Sequence, residues 1–436
     1  MVEKIIPCSV TEICGAFWGD EGKCRVATYE AQDASLVLRT TGGNNAGHTV
    51  YYIGNKLPLH LVPGGIIYEK PMAVICAGVV INPRVLKDEI DMLSQYIKIT
   101  PEKLAVSDQA HLIMPYHPEI DAIQEKRREL LNMSIGTTKR GIGPAYQDQA
   151  GRFNIRMQDL FRSDESLKEL LQLALSFHEK ELAEANICYT VDDLFNYCMQ
   201  AKEDLGRFIC DVNPLIRKAL LNGDKIVIEG AQADHLDMLT GDYPDCTSSQ
   251  CNPSGALSAA GIGPKYVDKV IATVKAYSSR VGNGVFPTEL SDADGGQIIR
   301  ELGHEYGTTT QRSRRCGWLD LVAFNENRGY TDICLNHLDT IGKIGQKLGC
   351  IKICLSYTYQ GKRMLTFPSD INVTGETPTP NYWVLEGGWE ISRLCRTYED
   401  LPKKAKDFIN VIETRLCTPV SYIGIGPNDE DTIIRN

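Results

Sequence analysis

Short apolar runs alternate along this chain with longer segments whose apolar residues recur every three to four positions. The runs at 12–16, 36–39, 73–77, 225–229, 269–274, 332–336 and 351–357 predict strands. Residues 166–177 predict a helix, because Leu167, Leu170, Leu171, Ala174 and Leu175 share one face and Ser166 with Glu169 forms a capping box. Residues 160–222 read as wholly helical and carry no chemical motif, so they are expected to form a helical subdomain inside a single unit spanning 1–436. Strands alternating with helices predict an α/β protein with a large, mostly parallel central β-sheet and flanking helices. In such sheets ligands bind at loops that follow the strands.

At 436 residues the chain can bury a large core, and α/β folds often reach this length as one domain. A composition of 43% hydrophobic and 23% charged residues is that of an ordinary globular protein. The net charge of −10 argues against nucleic acid as a partner, so phosphate groups must be held by local backbone N–H groups and a few cations. Residues 1–10 lack a basic stretch followed by an apolar run, so no signal peptide is expected. No segment approaches the roughly 20 apolar residues that cross a bilayer, so no membrane partner is expected either. The 15 cysteines are scattered with no CxxC pair, and Cys350 and Cys354 lie within an apolar run; buried, reduced thiols of a cytoplasmic protein are the expectation.

Six loops carry candidate chemistry. Gly15-Ala-Phe-Trp-Gly19-Asp20-Glu21-Gly22-Lys23 follows a strand and leads into a helix, where glycine amides, the helix N-terminus and the lysine can bind phosphate. Its spacing is two residues longer than a Walker loop. A carboxylate inside an anion cradle is repelled by phosphate, which suits Asp20 to Mg²⁺ or to proton transfer. Thr41-Gly-Gly-Asn-Asn-Ala-Gly47-His48-Thr49 offers an imidazole that can donate to an oxyanion. Hydroxyls and glycines of Ile135-Gly-Thr137-Thr138-Lys-Arg140-Gly-Ile-Gly-Pro144-Ala-Tyr146, followed by Arg152, suit a nucleotide monophosphate. Glu229-Gly-Ala-Gln232 with Asp242-Tyr-Pro-Asp-Cys-Thr247 is the fourth loop. Gly307-Thr308-Thr309-Thr310-Gln-Arg312-Ser-Arg314-Arg315 sets three guanidinium forks among hydroxyls, a pattern for carboxylate or phosphate. In Asn336-His337-Leu-Asp339, a carboxylate can accept from N1–H and the 2-amino group of guanine. The string Gly-Ile-Gly-Pro recurs at 141–144, 261–264 and 424–427 and by itself predicts only turns.

Together these strings resemble the adenylosuccinate synthetase family. The resemblance rests on Trp-Gly-Asp-Glu-Gly-Lys at 18–23, Gly-Gly-x-Asn-Ala-Gly-His-Thr at 42–49 and Gly-Thr-Thr-x-Arg-Gly-Ile-Gly-Pro-Ala-Tyr at 136–146. It extends through Ala276-Tyr-Ser, Arg280-Val-Gly, Phe286-Pro-Thr-Glu-Leu290 and Cys316-Gly-Trp-Leu-Asp320. It implies a P-loop-NTPase-like fold and a GTP-dependent ligation of L-aspartate to IMP through a 6-phosphoryl intermediate. It implies Asp20 as proton acceptor and Mg²⁺ ligand, the Gly47 carbonyl as a second Mg²⁺ contact, and His48 as proton donor toward the phosphates, with Lys23 and Gln232 in the same catalytic set. IMP contacts fall on Asn45, Thr138, Arg152, Gln232, Thr247 and Arg312; Arg152 reaches a partner's site, which implies a homodimer. GTP contacts fall on Gly19, Glu21, Gly22, Lys23, Gly47, Thr49, Arg314, His337, Asp339, Gly424 and Gly426, and aspartate contacts on Thr308, Thr309, Thr310, Arg312 and Arg314.

Four positions depart from the family's pattern. Gly-Lys-Gly-Lys becomes Gly22-Lys23-Cys24-Arg25; the Gly-Thr-Leu after Gln232 becomes Ala233-Asp234-His235, expected to add a carboxylate near IMP; the guanine-stacking lysine becomes His337; and Ser-Thr-Gly-Pro becomes Gly424-Ile-Gly-Pro427. A related ligase taking another 6-oxopurine nucleotide such as (d)GMP, or using ATP, stays open, as does a nucleotide-binding homologue without turnover. Retention of Asp20, where the guanine-accepting branch often has a smaller residue, favours IMP.

Overall fold

All seven expected strands form in the computed structural model, which describes residues 9–306, 313–392 and 394–435. Six of them join a ten-stranded, mostly parallel sheet. Its strands lie in the order Ile209–Cys210, Leu104–Ser107, Met72–Ile75, Leu36–Arg39, Ile226–Glu229, Val10–Gly15, Val267–Lys275, Asp332–Asn336, Val420–Gly424 and Thr432–Ile434. The last strand returns antiparallel on Val420–Gly424. Val10–Gly15, Leu36–Arg39 and Ile226–Glu229 are buried along their whole length, which is why Leu36–Leu38 and Ile226–Ile228 read as continuous apolar runs rather than alternating ones, while Val10–Gly15 also buries Thr11 and Glu12.

The seventh run belongs elsewhere. Cys350–Tyr359 is the long member of a separate four-stranded sheet, pairing antiparallel with Thr379–Glu386 and Lys362–Met364 and parallel with Leu319–Asp320. An apolar run marks burial, not the sheet in which it is buried.

The chain divides into two compact units. The first comprises the residues up to Glu12, Ala27–Ala231 and Thr247–Asp268. Within it, Leu36, Leu38, Val74, Ile226 and Ile228 pack against Ile216, Ala219 and Leu220 of the helix Asn213–Asn222. Residues 160–222 are helical apart from short connections and the two-residue strand Ile209–Cys210 at the sheet edge. The helix expected at 166–177 runs Asp164–Ser176, and its cap is Ser163, whose hydroxyl accepts the Ser166 N–H, rather than Ser166 itself. Two acids in the first turn, Asp164 and Glu165, favour the earlier start electrostatically. The second unit comprises Ile13–Val26, Gln232–Cys246 and the residues from Lys269 on.

The three Gly-Ile-Gly-Pro strings do three different things. Gly141, at φ 76°, precedes the helix Ile142–Gly151; Gly261, at φ 66°, ends the helix Pro253–Ala260; and Gly424 ends a sheet strand.

Candidate active site

The strand Val10–Gly15 delivers the chain into a tight loop before the helix Lys23–Ala31, and Ile13–Val26 of this stretch belong to the second unit. Gly19, Asp20 and Gly22 all take positive φ (92°, 59° and 86°), the left-handed region that a side chain such as that of Asp20 rarely adopts. Gly15 allows close approach, since a Cβ there would lie 2.5 Å from Glu21 Oε2 and 2.8 Å from the Gln232 carbonyl. Glu21 is buried and turned into the loop. Its Oε1 accepts the N–H groups of Gly19 (2.7 Å) and Phe17 (3.3 Å), and its Oε2 accepts from Lys23 Nζ at 3.1 Å. Part of the loop's donor capacity, and its lysine, are thus already matched by an internal anion. Asn336, at the end of the strand Asp332–Asn336, braces the loop by donating to the Glu21 carbonyl at 2.7 Å.

Asp20 remains 43% exposed and pairs with Arg314 at 2.7 Å. Arg314 is held from behind by Glu305 at 2.7 Å, a carboxylate only 1% exposed that also accepts from Lys275 (2.6 Å) and Tyr277 (2.6 Å). Burial would raise the Glu305 pKa, but Lys275 and Arg314 hold it down at about 2. Glu305 and Lys275 lie outside the expected set; a lone acid or base in a strand or loop gives no signal of its partner. Thr308, Thr309, Thr310 and Arg312 lie outside the described residues.

His337 caps the helix Leu338–Leu348 with φ 63° and stands 3.4 Å from the Tyr277 hydroxyl through Nδ1. Burial pushes its pKa down to about 4, so the ring is neutral at pH 7. Asp339, in the first turn of that helix, pairs with Lys343 at 3.0 Å. The departures at 25 and 424 are one adjustment: a Cβ on Gly424 would lie 2.5 Å from Asn336 Oδ1 and 2.7 Å from Arg25 Nη1, while Arg25 Nη2 donates to the Gly426 carbonyl at 2.5 Å. A hydroxyl at 424 and the Arg25 fork compete for one space.

The added carboxylate at 234 is not a free charge. Asp234 is buried against Arg328, whose Nε donates to it at 2.5 Å. Gln232 takes φ 53°, and its buried Oε1 has no partner among the described residues. A buried acceptor left unmatched marks a position for a ligand or water donor.

The first unit builds a different kind of site. Arg39 and Glu229 end neighbouring parallel strands in direct register, and both are buried. His48, 7% exposed at the start of His48–Tyr52, sits on this pair: Arg39 Nη1 is 2.9 Å from Nε2, and Nδ1 donates to Glu229 Oε1. Arginine can only donate, so Nε2 accepts and the proton resides on Nδ1. Burial would raise the Glu229 pKa, yet His48, Arg39 and the Gly64 N–H at 2.7 Å bring it below the ordinary range. Gly47 is exposed, and Asn45 and Thr49 are half-buried beside it.

Near this cluster along the chain, Thr40 Oγ1, Thr41 Oγ1 and Asn44 Oδ1 are buried without partners among the described residues, and so is Thr137 Oγ1 in the loop before Ile142–Gly151. Thr138 is exposed and Thr247 half-buried, while Arg140 donates to the Asn44 carbonyl. Arg152 is exposed at the C-terminal end of Ile142–Gly151, with φ 66°. That helix is fixed by Asp148, which accepts from His117 Nε2 (2.9 Å) and His178 Nε2 (2.9 Å). His117 Nδ1 accepts the Met114 N–H, so its Nε2 carries the proton and this trio is a hydrogen-bonded clamp rather than a ligand set. The expected Mg²⁺ contacts, Asp20 and Gly47, fall in different units.

A large, mostly parallel α/β sheet with a glycine-rich loop between the strand Val10–Gly15 and the helix Lys23–Ala31 defines a nucleotide-binding α/β protein. The family model described as adenylosuccinate synthetase matches residues 12–433. The adenylosuccinate synthetase of Caldicellulosiruptor bescii is 42% identical, with 98% of this chain and 99% of that protein covered; that of Acetivibrio thermocellus is 41% identical, over 97% and 99%. The solved, fully ligated adenylosuccinate synthetase of Plasmodium falciparum is 35% identical, covers 98% of this chain and 100% of its own, and superposes with a TM-score of 0.89. A cyanophage S-2L succinoaminodeoxyadenylate synthetase bound to dGMP and dATP shares the fold alone, at 16% identity and a TM-score of 0.58. The chain belongs to the adenylosuccinate synthetase family. It is a ligase that forms a carbon–nitrogen bond and serves purine biosynthesis.

Proposed function

We propose that this chain joins L-aspartate to carbon 6 of IMP, using GTP as phosphoryl donor, with the roles divided as follows. Asp20 accepts the N1 proton of IMP while the γ-phosphoryl passes to the 6-oxygen; the aspartate amine then displaces that phosphate, giving adenylosuccinate, GDP and phosphate. Its carboxylate is exposed, oriented by Arg314, and held in a left-handed turn that fixes its direction. That single observation carries the reading, because positioning and charge stabilisation dominate phosphoryl transfer. His48 donates toward the phosphates, which requires its Nε2 to exchange Arg39 for the nucleotide and to carry a proton. Glu229 sets the Nδ1 side for that exchange. Lys23 meets the phosphates by leaving Glu21.

The oxygens of Asp20 and the Gly47 carbonyl are the hard donors that suit Mg²⁺ and would hold it. When bound, the ion neutralises charge on the phosphates. The unmatched atoms of Thr41, Asn44 and Thr137 in the first unit support binding of IMP there, with Asn45, Thr138 and Thr247; the unmatched Gln232 Oε1 of the second unit, with Arg312, is a further IMP contact. Asp339 reads guanine beside His337, with Gly19, Gly22, Thr49, Gly424 and Gly426 near the nucleotide. Thr308, Thr309, Thr310, Arg312 and Arg314 bind aspartate. Arg152, exposed at a helix end, completes the site of a second copy in a homodimer. The fourteen described cysteines are all free, which fits a reducing cytoplasm.

The test is an assay with IMP, GTP, Mg²⁺ and aspartate, following the absorbance of the succinylated purine. Turnover with this set, and not with a guanine nucleotide as acceptor or ATP as donor, is the expected result. Preferential turnover of (d)GMP or equal use of ATP would overturn the substrate assignment, and absence of all turnover would overturn the enzyme.

A further inference from the structure

Residues 233–235 depart from the family string, and the second unit shows what His235 does there. It is 7% exposed and lies between two oxygens: Nδ1 is 2.7 Å from Asp242 Oδ1 and Nε2 is 2.6 Å from the Ala323 carbonyl. A carboxylate and a carbonyl both accept, whereas a neutral imidazole has one N–H, so this geometry requires the imidazolium. The other Asp242 oxygen accepts the Trp18 indole N–H at 2.9 Å and Arg280 at 2.5 Å. The His235 backbone N–H donates to the Phe17 carbonyl at 3.0 Å, and the Trp18 ring lies 4.9 Å from the imidazole. Backbone and side chains therefore fasten this segment to residues 17–18, immediately before Gly19 and Asp20.

We propose that His235 is a positioning residue for the ligation: as an imidazolium it fixes Asp242, and Asp242 holds Trp18 and with it the turn that presents Asp20. The proposal rests on Asp20 as the base in the function proposed above. The charged groups around His235 are Asp242, Asp234 and Asp320; of these, Asp234 is matched by Arg328, and Asp320 accepts the Tyr357 hydroxyl at 2.6 Å. Arg280 faces Asp242 from the strand Ser278–Arg280, and Phe367 packs against the imidazole at 4.9 Å. Burial would lower the His235 pKa, but Asp242 and the Ala323 carbonyl hold it above the ordinary 6.5. Burial likewise works to raise the Asp242 pKa, yet His235 and Arg280 keep it at about 2, anionic throughout. The clamp is therefore complete below the ordinary histidine value and is lost as pH rises through the raised one.

Steady-state kinetics of the full-length parent and of His235→Gln, from about pH 6.5 to about 9.5, test this. The expected result is a kcat lower by about tenfold in the variant at the acid end, with the aspartate KM within about twofold. The parent-to-variant ratio of kcat should fall toward one as pH rises; a folding defect alone would leave that ratio flat. A flat ratio, or a kcat within about twofold at the acid end, overturns the proposal. If His235→Gln does not fold, Asp242→Asn replaces it, with the same falling ratio expected and a flat one overturning. Nitrogen-15 NMR of the parent reads the clamp without activity. Two protonated imidazole nitrogens at the acid end, and a Trp18 indole N–H resonance that moves as His235 titrates, support it; one protonated nitrogen or an unmoved Trp18 resonance overturns it. A parent that turns over no IMP overturns the proposed function and leaves this NMR result standing separately.

Discussion

His48 and Asp20 are the two groups assigned to proton transfer, and the molecule treats them in opposite ways. His48 is 7% exposed, with one ring nitrogen against Arg39 and the other against Glu229, at the ends of two adjacent strands. Asp20 is 43% exposed, in a loop of positive φ angles, with Arg314 as its ion-pair partner. The first arrangement is over-determined: moving the imidazole uncovers a buried carboxylate and a buried guanidinium, which is costly unless a ligand's charge replaces it. The second is exchangeable on the Asp20 side, because a carboxylate 43% exposed is partly screened by water and can give way to a cation or a substrate while Glu305 keeps Arg314 in place. His48 keeps its Nδ1 on Glu229 and changes partner at Nε2 only when a ligand's charge replaces Arg39, and such a residue is best buried in a network. A residue that must shed one partner and take up another is best left near water.

Asp20→Asn should break the exposed side of this comparison most completely. The amide cannot accept the N1 proton, so kcat should fall by about 10²–10⁴, while thermal unfolding stays near that of the parent. Activity within a few-fold of the parent would end the assignment of Asp20 as base.

Glu229→Gln should break the buried side and, unlike Asp20→Asn, take stability with it. Removing one partner of a buried charge network costs about 3–5 kcal/mol, and misorienting His48 should lower kcat by about a hundredfold. The folded Glu229 pKa lies below its ordinary 4.5, so its contribution is present above that value and is lost as pH falls below it. Acid unfolding of the parent and variant should therefore converge at low pH. Equal stability of the two at neutral pH would show that Glu229 does not hold the cluster.

Arg152→Leu should sharpen the comparison by acting from outside both centres. Loss of a charge-assisted phosphate contact, about 1.5–3 kcal/mol, predicts an IMP KM higher by at least about tenfold, with the GTP KM little changed. Mixing this variant with Asp20→Asn should restore some activity through hybrid dimers. No recovery in well-exchanged mixtures would mean that each subunit has a self-contained site.

The smallest effect concerns the nucleotide edge. His337 is neutral, so His337→Lys should lower the GTP KM by a few-fold through cation–π attraction of about 0.5–1 kcal/mol. Asp339→Asn should at the same time weaken the preference for GTP over ATP, measured as the ratio of kcat/KM values. An unchanged ratio would remove Asp339 from the reading of guanine.

The sequence by itself determined where the strands lie, that they alternate with helices, and which loops are candidates for chemistry. The periods of buried and exposed positions and the residue strings at strand ends are local properties, readable within about ten residues. Tertiary structure decided the partners. Glu229 lies 181 residues from His48, and Asp242 lies 224 residues from Trp18; only strand register and loop packing bring such groups within hydrogen-bond distance. It also decided that Asp234 answers Arg328 instead of standing free, that Gly424 leaves room for Arg25, and that three copies of Gly-Ile-Gly-Pro begin a helix, end a helix and end a strand. A side chain's charge is written in the sequence. What that charge meets depends on contacts between segments far apart in the chain, and those exist only once the fold has formed.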